Sequence, residues 1–152
     1  MPRIDIGKLT ARTSTAYPDE FKPVVAGRQK TALGNAAGLT QFGVNLTRLK
    51  PGAASALRHW HENEDEFVYV LEGELVLVED EGETILKAGD CAGFKANVAN
   101  GHHLVNRTNR DALILEVGTR SPRERAHYPD VDLLYEVDGK NIRILHKDGT
   151  PY

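Results

Sequence analysis

Arg58-His59-Trp60-His61-Glu62-Asn63-Glu64-Asp65-Glu66-Phe67-Val68-Tyr69-Val70-Leu71-Glu72-Gly73 is the stretch whose reading decides the fold. Side chains two apart on a β-strand share a face, so His59 and His61 project together and Trp60 projects the other way. Glu62-Asn63-Glu64-Asp65 is polar throughout, and Phe67-Val68-Tyr69-Val70-Leu71 behind it is aromatic and β-branched enough to form the next strand. The spacing predicts a hairpin in which His61 and Glu66 stand directly opposite, with Cβ atoms roughly 4.5–5.5 Å apart. Two imidazoles and one carboxylate then converge. Such a facial set leaves coordination positions open, as catalytic mononuclear centres do, and it suits one Fe(II), Mn(II), Ni(II) or Zn(II) ion per subunit.

Outward from this stretch, short strands recur. Thr40–Leu49 alternates apolar and polar side chains, and Pro51-Gly52 ends it. Strands are expected at 74–79, 83–87, 91–94, 102–106 and 112–117, separated by Gly-, Asp- and Asn-bearing turns. No convincing helical period interrupts them, which points to an all-β jelly roll with a barrel core over about 40–118. Residues 1–39 read as an extended arm carrying Pro2, Pro18, Pro23 and Gly27 and closing on a turn cluster at Gly34–Gly38. In the tail, 119–152, Ser121–Arg125 reads as a charged turn. Asp138-Gly139-Lys140-Asn141 reads as the turn of an appended hairpin between 133–137 and 142–146, which must pack on the barrel or on a second subunit to persist.

The whole chain bounds the possible partners. Its 152 residues, 40% of them hydrophobic, suit a single domain with one real core. Lys and Arg number 19 against 22 Asp and Glu, a formal net charge of −3, so there is no electrostatic footprint for nucleic acid or an anionic membrane. Small molecules are the expected ligands. The lone cysteine, Cys91, excludes an intrachain disulfide. No signal-peptide core and no run of 18 apolar residues is present, so a soluble cytoplasmic protein is expected. Unpaired sheet edges and a marginal tail hairpin lead to the expectation of a homodimer.

The residues quoted so far resemble the cupin superfamily. Its first motif matches Gly52, His59, His61, Glu66 and Gly73, with one extra residue between Gly52 and His59. Its second motif matches Gly89, His102 and Asn106, although Lys95 and Asn97 stand where Pro and Gly are usual and the interval to His102 is two residues longer. The resemblance covers roughly residues 40–118. It implies a double-stranded β-helix barrel with His59, His61, Glu66 and His102 as metal ligands. The tail resembles that of small bacterial cupins, some provisionally described as sugar-phosphate isomerases.

Each candidate also has a plainer reading. A metal-free polar cluster at His59, His61 and Glu66 would bury a carboxylate without a cation, a costly arrangement that favours an ion. Spacing leaves His102 and His103 as alternatives on opposite faces, and the resemblance prefers His102. Trp60, Phe67, Tyr69 and Leu71 belong to the outward set, suited to packing or a dimer surface. Glu116 shares a face with Ala112 and Ile114 and is the candidate general acid or base if that face lines the cavity. Arg48 and Arg58 either hold an anionic substrate or are surface charges. Glu62, Glu64 and Asp65 read as a solvated hairpin tip, Cys91 as a buried hydrophobe, and His127 and His146 as surface residues.

The expected function is Lewis-acid isomerisation, epimerisation or lyase chemistry on a small oxygen-rich metabolite. An Fe(II) dioxygenase is an alternative of the same class. A non-catalytic binding or sensing module and a structural or storage protein are alternatives of different classes.

Overall fold

Alternation of apolar and polar side chains is carried into twelve strands in the computed structural model, which describes residues 2–152. They are β1 (Arg28–Ala32), β2 (Phe42–Leu49), β3 (Trp60–His61), β4 (Glu66–Glu72), β5 (Glu74–Glu79), β6 (Gly82–Lys87), β7 (Cys91–Phe94), β8 (His103–Val105), β9 (Ala112–Thr119), β10 (Arg123–His127), β11 (Leu134–Asp138) and β12 (Asn141–Leu145). A five-stranded sheet runs β1-β2-β9-β4-β7, and a three-stranded sheet runs β6-β5-β8. Their inner faces share one core, with Leu49, Val68, Val70 and Ile114 from the first meeting Leu75, Leu77, Leu86 and Leu104 from the second. Every strand pair is antiparallel, and the architecture is an all-β jelly-roll barrel. Among the described residues no helix is long and apolar enough to cross a membrane.

The expected hairpin at 58–73 is not formed. β3 pairs with β10, His61 opposite Ala126, whereas Glu66 on β4 lies opposite Phe94 of β7 and Gly118 of β9. The cause lies in the linking run. The Glu62 amide donates to the Arg125 carbonyl at 3.0 Å, and the Glu62 and Asn63 amides donate to the Glu124 carboxylate at 2.9 and 3.1 Å. These bonds draw β3 to the tail, so 62–65 crosses between two sheets instead of turning within one.

Arm and tail also differ from expectation. The arm holds 3-10 helical turns at Ile6–Lys8 and Asp19–Val25, and β1 pairs with β2 along its whole length. A one-turn helix, Leu33–Ala36, replaces the start of the expected turn cluster. In the tail, the expected hairpin is present as β11 and β12, but β10 occupies the segment read as a charged turn. β10 joins the hairpin to β3 in a four-stranded sheet, order β12-β11-β10-β3. Its alternation is real: Glu124 and Ala126 are buried and Arg123 and Arg125 exposed. The buried polar Glu124 hides the pattern from a search for apolar alternation. A second core of Leu57, Ala126, Tyr128 and Leu133, covered by Tyr17 and Phe21, ties arm and tail to the barrel.

Cys91 is exposed rather than buried, because β7 is an edge strand and the residue faces outward opposite Tyr69. Phe67, Tyr69 and Leu71 are 41%, 37% and 41% exposed on the same outer face, beside half-buried Leu113, Leu115 and Val117 of β9. Contiguous apolar surface of this kind is characteristic of a protein–protein contact. We propose that a second copy of the chain covers it. Light scattering at micromolar concentration is expected to give twice the 16.8 kDa chain mass, reduced to a single chain by Tyr69→Lys with Leu71→Glu.

Gly73 joins β4 to β5 at φ +82°, and a Cβ there would lie 2.9 Å from the Asp111 carbonyl oxygen. Both the left-handed backbone and the contact require glycine. Gly73→Ala is expected to lower unfolding free energy by roughly 1–3 kcal/mol in a denaturant titration.

Candidate metal centre

Three connections bring the ligand-type side chains together. His59 and His102 form an antiparallel bridge, each amide donating to the other's carbonyl at 3.2 and 3.0 Å, so their rings lie 5.1 Å apart. His61 sits two residues along from His59, with ring centroids 4.9 Å apart. Glu66 opens β4 and points its carboxylate among the three rings. Its oxygens lie 2.7 Å from His102 Nε2, 3.3 Å from His61 Nε2 and 3.7 Å from His59 Nε2. His59, His61 and Glu66 offer ligand atoms that all lie within 4.8 Å of one another.

Backbone carbonyls orient two of the rings. His59 Nδ1 lies 2.7 Å from the Leu57 oxygen, and His102 Nδ1 lies 3.1 Å from the Asn100 oxygen. A carbonyl only accepts, so each Nδ1 carries the hydrogen and each Nε2 is left to coordinate. His61 is held differently. Its Nδ1 is buried without a hydrogen-bond partner, 3.8 Å from both Glu64 Oε2 and Glu124 Oε1. Glu124 is 4% exposed and is itself fixed by backbone amides of Glu62, Asn63 and Arg125. It places negative charge behind His61, the arrangement that raises the basicity of a metal-bound imidazole.

Without an ion the cluster holds an extra proton. Burial disfavours a charged His61, but the Glu124 and Glu66 carboxylates outweigh it and raise its pKa to about 10. Burial likewise pushes Glu66 up, but His102, His59 and His61 outweigh it and hold the carboxyl well below its ordinary range. The raised His61 therefore contributes stability below its ordinary 6.5 and loses it as pH rises towards about 10. The lowered Glu66 contributes above its ordinary 4.5 and loses it on acidification. His59, His61 and Glu66 fit a divalent ion of the zinc, iron, manganese or nickel type, which would take the place of that proton, and His102 Nε2 meets the same carboxylate from beside them.

His103 turns away, its Nδ1 2.7 Å from the Ala56 carbonyl oxygen. The loop before His102 accommodates its departure from the family motif through Asn97, which takes φ +61° where glycine is usual, a conformation that asparagine tolerates. The motif residue Asn106 is fully buried and bonds the Leu49 and Arg110 carbonyls, fixing the far end of β8.

A cavity of about 410 Å³ opens on the cluster. Glu116 lines it, directly opposite Val68, the residue two along from Glu66 on the same face. Glu116 Oε2 accepts from Thr47 Oγ1 at 2.9 Å and lies 3.2 Å from Lys30 Nζ. Of the two readings of Arg48 and Arg58, the charge-paired one holds, and neither lines this space. Arg48 pairs with Asp111 at 3.7 Å, and Arg58 bonds Asp130, Asp80 and the Gly101 carbonyl. The cavity cations are instead Arg12, Arg28, Lys30 and Arg120. Arg28-x-Lys30 has the two-residue period of a strand face, but it lies in an arm that Pro and Gly made look irregular. Glu62, Glu64 and Asp65 are no free tip: they bond His127, the Ser121 amide and the Ala96 amide. His127 stacks on Trp60, and His146 pairs with Asp132, both away from the cluster.

The cupin domain family profile matches residues 45–118. A crystal structure of a cupin-superfamily sugar phosphate isomerase from Silicibacter pomeroyi DSS-3 is 48% identical over 99% of this chain and 96% of that one, with a TM-score of 0.95. A protein from Acidithiobacillus ferrooxidans, provisionally named a sugar phosphate isomerase, is 26% identical over 82% of this chain and 80% of that one, with a TM-score of 0.75. The polyketide cyclase RemF from Streptomyces resistomycificus, at 20% identity over 78% of this chain and 79% of that one and a TM-score of 0.65, shares the fold. No curated protein sequence matches the chain.

Elemental analysis of protein purified without chelator is expected to show one divalent ion per chain, lost in His61→Ala and Glu66→Ala. Glu124→Gln is expected to retain the ion but release it to a competing chelator about 10–100-fold more readily. Absence of metal from the parent protein would refute the assignment.

Proposed function

The chain belongs to the cupin superfamily, and on that premise we propose that it is a metal-dependent enzyme that isomerises a small oxygen-rich metabolite. The observation that carries this reading is the cavity lining that sets Glu116 beside the His59, His61 and Glu66 group, with His102 next to it. Cβ atoms on diagonal positions of neighbouring strands lie about 7–8 Å apart, the relation of Glu66 to Glu116 across β4 and β9. That gap accommodates a carbonyl oxygen at one carboxylate's ion and the adjacent carbon at the other carboxylate.

His59, His61, Glu66 and His102 would hold the ion, which when bound supplies Lewis acidity to a substrate carbonyl. Glu116 takes the proton from the carbon next to that carbonyl and returns it to the former carbonyl carbon, while the hydroxyl proton passes to the carbonyl oxygen. Lys30 and Thr47 fix Glu116 Oε2 for this transfer. The buried ring of His102 and the half-buried ring of Phe94, stacked at 3.6 Å, help keep bulk water from the ligand atoms. The name of the Silicibacter pomeroyi relative supports a phosphorylated sugar as the substrate.

Proton NMR in deuterium oxide is expected to show metal-dependent deuterium incorporation next to the carbonyl of an aldose or ketose phosphate. Glu116→Gln is expected to slow it about 10²–10⁴-fold with metal content unchanged. Saturable binding without exchange by the metal-loaded protein would favour a binding module and overturn the catalytic reading.

A further inference from the structure

Arg12, Arg28 and Lys30 bring three cations to the arm side of the cavity. Arg28 is 7% exposed, yet among the described residues no carboxylate forms an ion pair with it. Its Nη1 donates to the Ser55 carbonyl at 2.8 Å, and its side chain lines the cavity. The carboxylate that faces it, Glu116, is engaged by Lys30 and Thr47. Glu66 is enclosed by imidazoles, and Arg120 bonds Asn35 and the Leu39 carbonyl.

A second arginine, Arg12, is brought to the same cavity by the backbone. The Arg12 amide donates to the Lys30 carbonyl at 2.8 Å, and the Lys30 amide donates back at 2.9 Å. This pins the arm against β1 with Arg12 on the cavity wall. Burial pushes the Arg28 pKa down, Tyr17 and Glu116 oppose that only in part, and repulsion from Arg12 adds to it. Desolvating one guanidinium and setting another beside it is costly unless an anion occupies the space between them. Two guanidinium forks also offer more donors than one carboxylate accepts, whereas a phosphoryl group presents three oxygens.

We propose that Arg28 and Arg12 form an anion subsite that takes the phosphoryl group of the substrate, leaving its carbonyl end for the metal cluster. The subsite rests on the reading of this cavity as the substrate site. It assigns a role to the N-terminal arm, which supplies both guanidinium groups.

Calorimetric titration of chelator-treated protein with inorganic phosphate tests the subsite without the metal. Saturable one-to-one binding is expected, weakened about tenfold or more by Arg28→Met and by Arg12→Ala, as loss of a charge-assisted hydrogen bond requires. Arg12 is exposed, so its variant keeps the fold even if Arg28→Met does not. Arg48→Ala, outside the cavity, is expected to bind as the parent does. Acetate is expected to bind more weakly than phosphate, and equal or tighter acetate binding would overturn the phosphoryl assignment. Absence of phosphate binding, or binding indifferent to both Arg28 and Arg12, would overturn the subsite. Metal analysis of the same protein before chelator treatment separates the two readings. Phosphate binding through Arg28 in a protein that loads no ion would leave the subsite standing and the metal-dependent reading refuted. A stoichiometric ion with no arginine-dependent phosphate binding would do the reverse.

Discussion

The Glu66 carboxylate, surrounded by three imidazoles, is the interaction on which the rest of the structure depends. Its partners come from three separate places in the chain: the segment before β3, β3 itself and the residue before β8. Even a half-buried carboxylate is costly unless its charge is met. The fold satisfies that condition by bridging His59 to His102 through the backbone and by drawing His61 onto β10. Each imidazole is then oriented from behind. Carbonyl oxygens hold His59 and His102, and the buried Glu124 carboxylate lies behind His61.

The same constraint explains why the arm and tail are more than appendages. Glu124 belongs to the tail, and the bonds it accepts from Glu62 and Asn63 set the course of the chain between His61 and Glu66. Tyr17 of the arm packs edge-on to Tyr128 of the tail, whose ring lies 5.7 Å from His59. The second core therefore supports the cluster from one side, while the barrel core supports Glu66 from the other. With β1 hydrogen-bonded along β2, the arm also lends the cavity Arg28 and Lys30.

Charge is partitioned accordingly. Carboxylates that look exposed in a hairpin tip are used internally, Glu64 by the Ser121 amide and Asp65 by the Ala96 amide. Arginines near the ligand motif, by contrast, are consumed in surface pairs: Arg58 with Asp130 and Asp80, Arg48 with Asp111. Proximity in sequence to the ligands is a poor guide to proximity in the cavity. Strands adjacent in the sheet are often distant in the chain, as β2-β9-β4 shows.

The sequence by itself determined the alternating strands of the barrel, because period-two burial is written in residue order, as Val68 and Val70 against Phe67, Tyr69 and Leu71 show. It also determined the placing of His59 and His61 on one face, which depends only on strand geometry. Only the tertiary structure decided that His61 meets Glu66 across sheets rather than across a hairpin, since β3 spans two residues and its pairing is set by long-range bonds to β10. Spacing also left His102 and His103 equivalent, because alternation assigns them to opposite faces without saying which face is inner. The bridge from His102 to His59 separates them. The cavity cations were illegible for the same reason: β1 is a strand by virtue of its pairing with β2, and a Pro- and Gly-marked arm carries no local sign of that partner.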